Sequence, residues 1–135
     1  MIGSRREARE RALTLLYEAE SKGVGPGAIV AELPVEPEAF TVELIAGVEL
    51  HQAEIDAEIS QRSTGWPIER MPAIDRALLR MGIYELRWSP EVPPAVAINE
   101  AVELAKRFST DDSGKFVNGL LSKVAESAGR IDPSA

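Results

Sequence analysis

Residues able to do chemistry cluster in two places along the 135-residue chain. Near the start, at about 100° per residue, Arg6, Arg9, Leu13 and Tyr17 fall on adjoining helical positions, with Glu7, Thr14 and Glu18 opposite. Guanidinium groups hydrogen-bond phosphate, and a tyrosine ring can stack on an unpaired base, so this edge could serve as an RNA surface. The pattern also suits a solvated helix start with Tyr17 turned to the core. Arginine in a first helical turn opposes the helix dipole, a small cost that a function would explain. The second place is Lys115-Phe116, near the start of the last predicted helix, where free backbone N–H groups favour an anion. There Phe116 also fits the core periodicity. Asp111 and Asp112 would repel phosphate unless they accept hydrogen bonds from base edges or ribose hydroxyls.

The parts of an enzyme are missing. Ser113-Gly114-Lys115 is like the end of a phosphate-binding loop, but Ser109 stands where the first glycine is needed and no strand precedes it. His51 lies inside a periodic helix with no matching His or Cys elsewhere, which points to a structural role. Glu54 and Glu58, one turn apart, read as a solvated face rather than a metal pair. With no cysteine and one histidine, thiolate chemistry, disulfides and His-rich metal sites are excluded, and no cofactor is expected.

The elements that position these residues are helical, and the predicted fold class is all-α. The first helix starts at Ser4, with Glu7 completing a capping-box pattern, and ends at Lys22 before Gly23; Ala8, Ala12, Leu15, Leu16 and Ala19 form its core stripe. Residues 23–37, with three glycines and three prolines, predict a loop holding one short helix. One long helix, or two nearly continuous ones, spans 37–62 through Phe40, Leu44, Val48, Ile55 and Ile59. A single turn through Ile68 and Met71 leads to Pro72, expected as the first residue of a helix that is apolar almost all round, from Ile74 to Leu86, and therefore central. Glu85 falls on its apolar side, so if buried it needs a partner such as an arginine. A helix over 95–108 buries Ile98, Ala101, Ala105 and Phe108, and a last helix capped by the 109–113 cluster packs through Phe116, Val117, Leu120, Leu121 and Val124. The expected unit is one domain over 1–128 with a frayed tail over 129–135.

Charge is uneven. Residues 1–17 carry +2, residues 18–58 carry −9, and residues 59–135 balance, for a total of −7. A short basic head on an acidic body argues against strong non-specific nucleic-acid binding, so RNA would be bound locally and with help. No apolar run spans a membrane, and Met1 to Arg6 lack the apolar stretch of a secretory signal, so a cytoplasmic protein is expected.

Two stretches resemble the NusB family of antitermination factors. They are residues 5–13, RREARERAL, with Leu16-Tyr17, and the C-terminal half through AIDRALLR (73–80), IYEL (83–86), VAINEAVELAK (96–106) and FVNGLL (116–121). Order and spacing match over roughly 5–125. The resemblance implies about seven helices in two packed bundles and binding of the boxA element of nascent ribosomal RNA. It implies as partners the small-subunit ribosomal protein that doubles as NusE and the elongation complex with other Nus factors. On matching positions it assigns RNA contacts to Arg5, Arg6, Arg9 and Tyr17 at one end and to Asp112, Lys115 and Phe116 at the other. It places Asp75 and Arg76, with Glu69 at the edge, toward the ribosomal partner. Glu7 stands where the family often has another basic residue, which implies modest RNA affinity. A related domain occurs fused to ribosomal-RNA cytosine methyltransferases, but no such fold is expected in 135 residues, nor is catalysis. The competing expectation is a protein-interaction module whose acidic 18–58 face meets a basic partner.

Overall fold

The computed structural model describes residues 4–127, and among these every regular element is helical. They are α1 (Ser4–Lys22), α2 (Pro26–Ala31), α3 (Ala39–Leu50), α4 (Gln52–Arg62), a 3₁₀ turn (Ile68–Arg70), α5 (Ala73–Trp88), α6 (Pro94–Phe108) and α7 (Asp111–Ser127). The cap expected from the Ser4 side chain and the tail from Gly129 fall outside the described part of the chain.

Helix ends follow local chemistry. Gly23 takes φ +69°, and a Schellman pair closes α1: the Val24 amide donates to the Ala19 carbonyl (3.0 Å) and the Gly23 amide to the Glu20 carbonyl (3.1 Å). The 37–62 stretch forms two helices, because His51 (φ −107°, ψ 17°) leaves helical geometry and serves as the end of α3 and the start of α4. Pro72 is the residue before α5 rather than its first; its ring fixes φ at −55° while ψ stays extended at 142°. Pro94 is the first residue of α6. Thr110 caps α7, its hydroxyl oxygen accepting from the Ser113 amide at 2.9 Å.

As its all-round apolar pattern requires, α5 is the central element, and between Ala77 and Arg87 only Arg80 escapes burial. It packs against α1, α3, α4, α6 and α7, so it is shared by the helices of both halves of the chain. Phe108 departs from expectation. By angle it continues the buried stripe of Ala97, Ala101, Leu104 and Ala105, yet it is 41 % exposed. As the last residue of α6, before the break at Ser109 (φ −132°, ψ −118°), it overhangs the end of the core.

Candidate nucleic-acid interface

The N-terminal arginines meet different fates. Arg5 is exposed, its guanidinium 4.0 Å from the centroid of the Phe40 ring. Arg6 is exposed too, and its Nε and Nη2 donate to the two carboxylate oxygens of Glu100 on α6, at 3.0 and 2.7 Å. That hydrogen-bonded arginine holds the Glu100 carboxyl below its ordinary range. Arg9, assigned to RNA by the resemblance, is 4 % exposed: its Nε and Nη2 grip the Glu85 carboxylate at 2.9 and 2.7 Å. Burial pushes the Glu85 carboxyl up, and Arg9 pulls against it. Glu85 thus has the arginine that its position demanded, and Arg9 stands beneath the surface rather than on it. Tyr17 is 46 % exposed and Leu13 is buried, so the tyrosine is not a core residue.

At the other end, Asp112 and Lys115 are exposed in the first turns of α7, while Phe116 is half-buried with its ring edge-on to Trp66 at 4.7 Å. The two ends are linked through α6. Arg6 reaches Glu100 from α1, Arg107 returns to Glu10 with two bonds of 3.1 Å, and the C-terminus of α6 leads directly into α7.

The residues expected to face a protein partner lie elsewhere. Glu69 is exposed on the 3₁₀ turn. Arg76 is mostly covered: its Nη1 donates to the Ile68 and Met71 carbonyls at 2.9 and 2.7 Å, and its Nε to Glu20 at 3.0 Å, so it staples the 68–71 turn to α1. Asp75 is fully buried, and neither carboxylate oxygen has a hydrogen-bond partner. It reaches no surface in this conformation.

Part of the acidic stretch is paired with arginines of the same fold. Glu20 pairs with Arg76 and Arg80, Asp56 with Arg80 (2.8 Å), and Glu58 with Arg87 and Arg62, while Glu43 accepts from the Tyr84 hydroxyl at 3.0 Å. Arg76 in particular holds the Glu20 carboxyl low. Glu20, Asp56 and Glu58 are therefore counter-charges of the α5 arginines, a use invisible in a charge count, while Glu32, Glu36, Glu38, Glu49 and Glu54 stay exposed. Glu58 is spent in this way, and His51 stacks on Trp88 (4.0 Å, 6°) with Nδ1 3.2 Å from Glu54. Among the described residues no three His, Asp or Glu side chains converge as a metal site would require, and no helix is long and apolar enough to cross a membrane.

The family model for the NusB family matches residues 6–126. The chain belongs to the NusB family. The transcription antitermination proteins NusB of Kineococcus radiotolerans and Beutenbergia cavernae are similar to it at 46 % and 47 % identity; the matches cover 93 % and 91 % of this chain, and 95 % and 90 % of theirs. Among solved structures, NusB of T. maritima superposes with a TM-score of 0.82 at 32 % identity, covering 91 % of each chain. A crystal structure of the antitermination factors NusB and NusE in complex with double-stranded RNA matches with a TM-score of 0.79 at 28 % identity, covering 94 % of this chain and 99 % of that one. Within this NusB fold, sequence reasoning missed Glu100 and Glu10 as the anchors of Arg6 and Arg107. The signal was present as complementary charges on two amphipathic helices, but nothing in either helix says that they lie side by side.

Proposed function

We propose that the chain is a non-catalytic transcription antitermination factor. It binds the boxA element of nascent ribosomal RNA together with the small-subunit ribosomal protein NusE, within an elongation complex holding other Nus factors. The observation that carries this reading is the exposed pairing of cations with aromatics at two ends joined through α6: Arg5, Arg6 and Tyr17 on α1, and Asp112, Lys115 and half-buried Phe116 on α7. Cations engage phosphates, the aromatic rings stack on unpaired bases, and Asp112 accepts from base edges or ribose hydroxyls. Arg9 acts from below, fixing α1 to α5 so that its exposed neighbours are held in place. Glu69 and the rim of Arg76 offer the accessible part of the partner face, with Asp75 behind them. The relative solved with NusE and double-stranded RNA supports a ribosomal protein and RNA as the types of partner. Internal pairing takes Glu20, Asp56 and Glu58 out of the acidic face that a module recruiting a basic protein would use.

Arg6→Ala and Lys115→Ala are each expected to weaken boxA RNA binding about fivefold, because one charge-assisted phosphate contact is lost. Each should also lower the slope of log affinity against log salt by about 0.7. Binding of the ribosomal protein in the absence of RNA should be unchanged. Fluorescence anisotropy at several salt concentrations measures all three, and unaltered RNA affinity in both variants would remove these two positions from the interface.

A further inference from the structure

Phe108 has no role in the surface described so far, and its setting is unusual for a side chain at a helix end. The ring lies at the edge of an open groove of about 400 Å³ between α1 and the end of α6, lined by Glu7, Glu10, Arg11 and Thr14. The Arg107 guanidinium sits 5.0 Å from the ring centroid. Arg107 is itself held by two hydrogen bonds to Glu10, each 3.1 Å. A cation fixed against an aromatic ring, with 41 % of the phenylalanine still open to solvent, is a stacking platform whose ordering cost is already met in the free protein.

Its position gives it a use. Glu10, which anchors the platform, lies by angle beside Arg6 and Tyr17 on α1, at the border between their edge and the Glu7–Thr14 face that lines the groove. Phe108 directly precedes the break that leads to Asp112, Lys115 and Phe116. The platform therefore stands between the two ends of the proposed RNA surface. Its chemistry suits a base rather than a phosphate, because the groove offers an aromatic ring beside the carboxylates of Glu7 and Glu10. An isolated exposed aromatic would carry no such meaning. Phe108 differs in having an anchored cation against its ring, a groove beside it and Glu10 next to Arg6 and Tyr17.

We infer that Phe108, backed by Arg107, is a base-stacking position for single-stranded RNA, joining the α1 and α7 ends into one track. The inference rests on the RNA-binding reading above. Removing an aromatic under a stacked base costs about fivefold or more in affinity, so Phe108→Leu is expected to weaken boxA RNA binding at least that much while Phe108→Tyr retains it. With 2-aminopurine placed at successive positions of the RNA, one position should be quenched by the wild-type protein and released in Phe108→Leu. Cross-linking of 5-iodouridine RNA to the unmodified protein should mark Phe108 independently of any variant's folding. If wild-type protein binds, and Arg6→Ala weakens that binding, but Phe108→Leu changes neither affinity nor quenching and no cross-link forms, the platform is wrong and the RNA reading stands. If Phe108→Leu weakens only the ribosomal protein's binding, the platform serves a protein and the inference is overturned. If wild-type protein binds no RNA, both readings fall together.

Discussion

Arg9→Leu is expected to lower the stability of the protein by about 3–5 kcal/mol, because it strands the Glu85 carboxylate inside the core. For a domain of this length that is a drop in melting temperature of about 10–20 °C. Its pH signature separates loss of a partner from loss of packing. With Arg9 gone, burial dominates at Glu85, already the largest influence on it, and raises its folded pKa further above the ordinary 4.5. The folded state then binds the extra proton. The contribution of Glu85 to the variant's stability is therefore fully present below about 4.5 and is lost as pH rises through the raised folded value. Glu20 and Glu100 act with the opposite sign, since their low carboxyls lose stability as pH falls in variant and wild type alike. The wild type, with the pair intact, should show a weaker fall over the same window. Combining Arg9→Leu with Glu85→Leu should recover most of the loss, since replacing both members of a buried pair by apolar groups removes the desolvation cost. Thermal melts of the four proteins between pH 4 and pH 8, roughly spanning the carboxyl range, measure the cycle. An Arg9→Leu protein that melts like wild type would show that the pair does not hold α1 to α5.

Gly47→Ala is expected to destabilise by about 2 kcal/mol although alanine is the better helix former by up to about 1 kcal/mol. An added Cβ would stand 2.1 Å from Cε1 and 2.5 Å from Cζ of Tyr84. The ring is tied in place: its hydroxyl donates to Glu43 at 3.0 Å, and its centroid lies 6.2 Å from that of Trp88, which is stacked on His51. The substitution thus pushes through the aromatic row at the α3–α5 contact. Chemical denaturation gives the energy, and Trp88 fluorescence reports displacement of the row. A Gly47→Ala protein as stable as wild type would mean that α3 and α5 are less closely apposed than this geometry requires.

These two sites show where the sequence could and could not be read. The apolar pattern of residues 74–86 forces a central α5, and that in turn forces a partner for Glu85; both conclusions need only the periodicity of one helix. That the partner is Arg9 depends on how α1 crosses α5, which a helical wheel does not contain. For the same reason Arg9 looks like a member of the exposed edge, next to Arg6 by angle, and is buried. Gly47 has no local signature at all, since a glycine inside a helix takes its meaning from the element across the contact. The end of α1 at Gly23 was legible because a Schellman closure is local chemistry, as was the hydroxyl-capped start of α7. Phe108 failed in a different way: periodicity gives direction but not the depth at which a core stops. The excess of acid over 18–58 overstates the free charge, because Glu20, Asp56 and Glu58 have their counter-ions on α5. Asp75 matches a partner-facing position by sequence yet has no accessible surface, because it lies on the inward side of α5, and burial is not part of what a matched position carries.

The central claim is that this member of the NusB family binds boxA RNA locally and in concert with a ribosomal protein. Its most direct test is fluorescence anisotropy of a labelled boxA-type RNA titrated with the wild-type protein, with and without the ribosomal partner, at two salt concentrations. The account predicts modest, salt-dependent binding by the protein alone, selective for boxA over a scrambled RNA and strengthened by the partner. Absence of selective binding in both conditions, with circular dichroism showing the helical fold intact, would contradict it.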